Sequence, residues 1–116
     1  MKLKQLKSTE HQNLSANVIH LYVLHHACSG PTFGLQIIEK LAELGYKLSP
    51  GTVYPLLGSL ERKGLILSGA PRNGSLRRIY RATPAGRKAY ATASAQIRKV
   101  VYEISKRNMN GGPAVR

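Results

Sequence analysis

The segment Ser49 to Gly64, Ser-Pro-Gly-Thr-Val-Tyr-Pro-Leu-Leu-Gly-Ser-Leu-Glu-Arg-Lys-Gly, constrains the fold of this chain most. Val53, Leu56, Leu57 and Leu60 stand at i, i+3, i+4 and i+7, the spacing of a core-facing helical stripe. Ser49 suits an N-cap, and Pro50 suits the first turn, where its missing N–H costs nothing. Gly64 suits the left-handed residue that stops a helix. The opposite side carries Thr52, Tyr54, Pro55, Ser59 and Arg62. Such a face can approach a surface closely and donate hydrogen bonds, as a helix in a DNA groove does.

The flanking sequence predicts the rest of a small domain. A first helix over about Leu14 to Ala27 is apolar on more than one side through Leu14, Val18, Leu21 and Tyr22. Ser29-Gly30-Pro31-Thr32 breaks it, with Thr32 as N-cap of a second helix from Phe33 to about Leu44, ended by Gly45. Tyr46 to Leu48 reads as a short extended link. After Gly64 the period shortens, so Leu65 to Ser68 and Leu76 to Ala82 read as two strands around a turn over Gly69 to Ser75. Thr83-Pro84 opens a last long helix that Gly86 weakens slightly. Along it Tyr90, Ala93, Ile97, Val100 and Ile104 recur as a heptad seam. The divisions are a flexible basic N-terminus over 1–12, a DNA-binding domain over 13–82, a dimerisation helix over 83–108 and a disordered tail over 109–116.

Charge narrows the partner. With 18 Lys+Arg against 5 Asp+Glu, the chain carries a formal net charge of +13. So lopsided a balance repels itself and points to a polyanion, nucleic acid ahead of an anionic membrane surface. No apolar run is long enough to span a bilayer, and no signal core follows Lys2, Lys4 and Lys7. The single Cys28 excludes an intrachain disulfide framework and fits a reducing cytoplasm. There is no glycine-rich phosphate loop and no Gly-x-Ser-x-Gly elbow, so neither an enzyme nor a cofactor is expected.

The predicted order of helix, helix, short strand, helix, hairpin and long helix is that of a winged helix-turn-helix, a mainly α (α+β) fold with a two-stranded wing. Particular residues sharpen the match. Phe33-Gly34-Leu35-Gln36-Ile37-Ile38 resembles the aromatic-glycine start of the second helix in PadR-family transcriptional regulators. Leu48 to Leu57 resembles that family's recognition-helix signature, and Leu60-Glu61-Arg62-Lys63-Gly64-Leu65-Ile66 its following Leu-Glu-x-x-Gly-Leu-Ile segment. Arg77 to Arg87 is similar to its wing and the Tyr-x-x-Thr-x-x-Gly junction into the last helix. The resemblance covers roughly residues 14–105. It implies a cytoplasmic homodimeric repressor of the short subgroup with a single C-terminal helix, bound to a palindromic duplex operator. Gly58 and Ser59 depart from the family's larger or basic residues there, which shifts the expected balance from base readout towards backbone binding.

The candidate DNA contacts are therefore Ser49, Gly51, Thr52, Tyr54, Pro55 and Ser59 in the groove, with the first-turn N–H groups aimed at a phosphate. Tyr54 has the alternative of packing on the wing. Arg62 and Lys63 are placed to reach phosphates or to favour the negative helix end. Arg72, Arg77, Arg78 and Arg81 cluster on the wing, where long cations release counterions from DNA. The candidate dimer interface is Tyr90, Ala93, Ile97, Val100, Val101 and Ile104, with Leu14 and Val18 of the first helix; the alternative is that the seam packs on its own domain. His20, His25, His26 and Cys28 invite a metal reading. The adjacent His25 and His26 diverge by about 100° on a helix, however, and no metal site is expected. Two other readings stay open beside the regulator: a winged-helix protein-interaction module, and a metal-responsive regulator using those histidines and Cys28. A non-specific nucleoid-type binder is a further alternative.

Overall fold

A computed structural model describes residues 2–69 and 78–111, with side chains over 16–69 and 78–106. In chain order the elements are α1 (Lys2–Ser29), β1 (Thr32–Phe33), α2 (Gly34–Glu43), α3 (Pro50–Arg62), β2 (Ile66–Gly69), β3 (Ile79–Ala82) and α4 (Pro84–Gly111). The strands form one antiparallel sheet in the order β1-β3-β2, with Thr32 opposite Tyr80 and Leu67 opposite Arg81.

The core sits where α1, α2 and α3 meet the sheet. Val23, Ile37, Leu41, Val53, Leu57 and Ile66 are fully buried, joined by Ile19, Leu24, Leu60 and Tyr80. The stripe read from α3 is this inner face, with Leu56 half-buried at its edge. Both short helices stop by the same device. Gly45 and Gly64 take φ of 98° and 77°. The Gly45 and Tyr46 N–H groups donate to the carbonyls of Ala42 and Leu41, and those of Gly64 and Leu65 to Glu61 and Leu60. These are paired Schellman closures, which satisfy the last carbonyls and turn the chain away sharply.

The structure differs from the sequence reading in several places. Helix α1 begins at Lys2 and takes in the stretch assigned to a flexible N-terminus over 1–12. The residues there are good helix formers, and no glycine or proline interrupts the chain before Gly30. Helix α4 likewise runs into the expected tail as far as Gly111, and 112–116 lie outside the described residues. The short strand is not the 46–48 link but Thr32–Phe33, so Thr32 is not the cap of α2. It is buried in the sheet, and its hydroxyl donates to Gln36 Oε1 at 2.8 Å. Two residues are too few to show an alternating pattern, and β1 exists because β3 offers it a partner edge.

Gly86 is also more than a weak point in α4. A Cβ at this position would overlap the carbonyl of Leu65. The first turn of α4 therefore lies directly on the backbone leaving α3. Thr83 fixes that junction: its hydroxyl donates to the Gly64 carbonyl at 2.6 Å and accepts from the Gly86 N–H at 2.9 Å. Its own N–H donates to the Leu65 carbonyl at 3.1 Å.

Candidate nucleic-acid interface

The outward side of α3 is made of small and polar residues. Ser49, Gly51, Thr52, Pro55, Arg62 and Lys63 are exposed, and Gly58 and Ser59 are half-buried. Ser49 holds the N-cap position with extended backbone, yet its hydroxyl makes no bond to the first-turn amides. It lies instead 3.4 Å from the Thr52 hydroxyl. The expected side-chain cap is thus not formed: the Thr52 and Val53 N–H groups donate to the Ser49 carbonyl, Pro50 has no N–H, and the helix start presents the two hydroxyls beside the Gly51 amide.

Tyr54 takes neither of its two expected positions cleanly. Its ring covers Gly34 at the start of α2, where any Cβ would overlap it, while 41% of the residue stays exposed. Gly34 thereby explains the aromatic-glycine pair Phe33-Gly34: the glycine is the seat of the α3 tyrosine. Burial raises the Tyr80 hydroxyl's pKa, against the opposing effect of Arg78, and Tyr54 and Glu61 add smaller upward effects.

The wing is tied to α3 through Glu61. Its carboxylate accepts from the Ser68 hydroxyl at 2.8 Å and from the Ser68 N–H at 3.3 Å. The same hydroxyl accepts from Arg78 Nη1 at 3.1 Å. One carboxylate thus sets strand β2 against the end of α3 and, through Ser68, orients an exposed arginine. Arg81 is exposed on β3, whereas Arg72 and Arg77 lie outside the described residues.

The remaining cations near the domain divide by task. Arg87 donates to the Cys28 carbonyl at 3.1 Å, at the negative end of α1, so it secures α4 to α1. Lys63 lies near His20, where burial first and then this ammonium lower the imidazole pKa. Arg62 has no hydrogen-bond or ion-pair partner among the described residues; its Nη1 lies 3.4 Å from where a Cβ on Gly58 would stand. Sequence reasoning marked Gly58 as a missing side chain and overlooked the space it leaves for the residue one turn on.

The histidines belong to an aromatic cluster between α1 and α4. His25 Nδ1 and the Tyr90 hydroxyl are 3.0 Å apart, and Tyr22 packs edge-on against His26 with ring centroids at 4.5 Å. Burial and the neighbouring His25 and Lys40 lower the His26 pKa, against a smaller opposing effect of Glu43. No group of three or more His, Cys, Asp or Glu side chains able to hold a metal forms among the described residues. Cys28 is half-buried beside the core, and burial pushes its thiol up.

The heptad seam of α4 splits along its length. Tyr90 and Ala93 are half-buried, and Tyr90 packs on α1 of its own chain. Beyond them Ile97, Val100, Val101 and Ile104 are 40–57% exposed, and Val18 on α1 is 49% exposed. An open groove of about 300 Å³ runs between the two helices, lined by Val18, Leu21, Tyr22, His25, Tyr90 and Ser94. Of Leu14 only the helical backbone is described. No described helix is long and apolar enough to cross a membrane.

Comparison with known proteins agrees with this architecture. Residues 23–92 match the PadR-like transcriptional regulator family. A transcriptional regulator of Mycobacterium tuberculosis is 38% identical over 94 residues, 80% of this chain and 84% of that protein. The crystal structure of a PadR-family regulator from Eggerthella lenta superposes with a TM-score of 0.70 at 27% identity, covering 91% of this chain and 95% of that one. A PadR-like regulator from Bacillus cereus shares the fold, with a TM-score of 0.70 at 22% identity over 78% of this chain and 90% of its own. The fold is a winged helix, and the family consists of transcriptional regulators, not enzymes. By its sequence over most of its length and by its fold, the chain belongs to the PadR-like family of transcriptional regulators.

Proposed function

We propose that this regulator is a homodimeric, cytoplasmic repressor that binds a palindromic DNA operator. In this reading α3 enters the major groove and the wing rests on the backbone. The observation that carries the DNA reading is the outward face of α3, small and polar, exposed at its start and end and half-buried at Gly58 and Ser59, in a chain of net charge +13. Ser49, Gly51 and Thr52 meet a phosphate at the helix start. Tyr54, Pro55 and Ser59 lie along base edges and sugar, and Arg78 neutralises a phosphate from its seat on Ser68. Arg72 and Arg77 serve the same electrostatic role on the wing.

The dimer reading is supported by the uncovered residues Ile97, Val100, Val101 and Ile104 with Val18. Apolar side chains at heptad spacing on a terminal helix fit a second copy of the same helix, and the groove between α1 and α4 gives its side chains a place to enter. A twofold pair sets two copies of α3 about 34 Å apart, one turn of duplex. Fluorescence anisotropy with the duplex upstream of the protein's own reading frame tests the reading. Binding that survives a thousandfold excess of unrelated duplex supports a specific regulator. Loss of binding under competitor identifies non-specific association, and no binding even in dilute salt contradicts the DNA reading.

A further inference from the structure

The outward stripe of α3 runs Gly51, Pro55, Gly58, Arg62, at steps of four, three and four residues that stack on one helix face. Three of its members have no side chain that reaches far. The fourth is the longest donor on the helix. Helical side chains lean towards the N-terminus, over the turn before their own Cα. Arg62 does this: Nη1 lies 3.4 Å from where a Gly58 Cβ would stand. The guanidinium therefore rests one turn inside α3, on the middle of its exposed face, not at the negative end of the helix. That end is already closed by the Gly64 and Leu65 amides. Three other described cations have protein partners or neighbours: Arg78 on Ser68, Arg87 on the Cys28 carbonyl, Lys63 beside His20. Arg62 keeps its donors unspent among the described residues.

We propose that Arg62 is the residue by which this protein reads a guanine in each operator half-site, and that Gly58 is the vacancy that holds its guanidinium across the recognition helix. A guanidinium laid along the groove-facing side presents its fork to the O6 and N7 acceptors of guanine, the base edge that suits two parallel N–H donors. Ser59 and Thr52 are too short to make that contact, so the helix with few long donors concentrates its readout in one. The inference rests on α3 being the DNA-reading helix, and its test separates the two.

The test scans every base pair of a footprinted operator by anisotropy with the wild-type chain, Arg62→Ala, Arg62→Lys, Gly58→Ala and Gly58→Leu. Circular dichroism checks that each is folded. The wild type is expected to prefer guanine at one position per half-site by about 5- to 150-fold. Arg62→Ala loses that preference and Arg62→Lys, which keeps the charge and donors but not the fork, keeps a weaker one, while their affinity for unrelated duplex and their salt slope stay close to wild type. Gly58→Ala keeps the preference, since a methyl meets Nη1 only at van der Waals distance, and Gly58→Leu loses it. If Arg62→Ala weakens all sequences alike and lowers the salt slope by about one, Arg62 is a phosphate contact and the inference is overturned, with the DNA-reading role of α3 intact. If Gly58→Leu keeps the guanine preference, the positioning role of Gly58 is overturned. A wild-type chain indifferent to sequence overturns both the inference and the reading beneath it.

Discussion

Helices α3 and α4 each leave one side uncovered, and the two sides are made of different matter. On α3 the exposed residues are hydroxyls, glycines, proline and cations, with Tyr54 folded onto Gly34. On the outer half of α4 they are Ile97, Val100, Val101, Tyr102 and Ile104. Water tolerates the first surface at no cost. The second leaves several large apolar side chains hydrated, each worth about 1.5–3 kcal/mol when buried. A polar face can wait for its partner, whereas an apolar stripe of this kind is a surface meant to be covered. The proposed function follows from that contrast: α4 finds a second copy first, and the pair then offers two α3 faces to one duplex.

Substitutions aimed at one face and read out at the other break or sharpen this comparison. The largest effect belongs to α4. Changing Val100 and Ile104 to aspartate sets four unpaired charges in a twofold interface and costs the dimer roughly 4 kcal/mol or more, a factor of about a thousand. Sedimentation velocity reads the shift to monomer, and operator affinity falls with it while far-UV circular dichroism stays helical. Next comes the joint between the two regions. Gly86→Ala drives a methyl into the Leu65 carbonyl, and urea unfolding should show a loss of about 1–3 kcal/mol, the usual cost of overpacking. If α4 instead tilts away to make room, stability recovers and the dimer weakens. The smallest effect belongs to the wing. Arg78→Ala should leave sedimentation unchanged, weaken specific and unrelated duplexes alike, and lower the salt slope by about one.

How much of this was legible beforehand depended on the range of the forces involved. The inner stripe and the stops of α3 are local, so Val53, Leu57, Leu60 and Gly64 declared themselves by spacing and residue type. The same holds for Thr83-Pro84, whose cap is a bond three residues long. Contacts made across the fold left no such trace. Thr32–Phe33 became a strand because β3 lies beside it, and a pair of residues carries no period. Gly34 and Gly86 stood in the motifs that carried the family resemblance, but spacing gave no reason for glycine there; Tyr54 and the Leu65 backbone occupy the space above them. At the candidate site the residue types on α3 were plain from the sequence. Their orientation was not: Glu61 holding Ser68, and Arg62 folded on Gly58, are side-chain arrangements that spacing alone does not dictate. The heptad seam was legible as a repeat, but only the fold divides it into Tyr90 and Ala93 packed inward and Ile97 to Ile104 left outside.

The central claim is that two α3 faces, held apart by the paired α4 helices, enter successive major grooves on one side of the duplex. Methylation protection of guanine N7 on the upstream duplex tests it most directly, because N7 lies in the major groove. The account predicts two protected clusters about 10 base pairs apart, related by the operator's twofold axis. A single protected cluster, or a duplex whose guanines stay fully reactive when saturated with the protein, would contradict it.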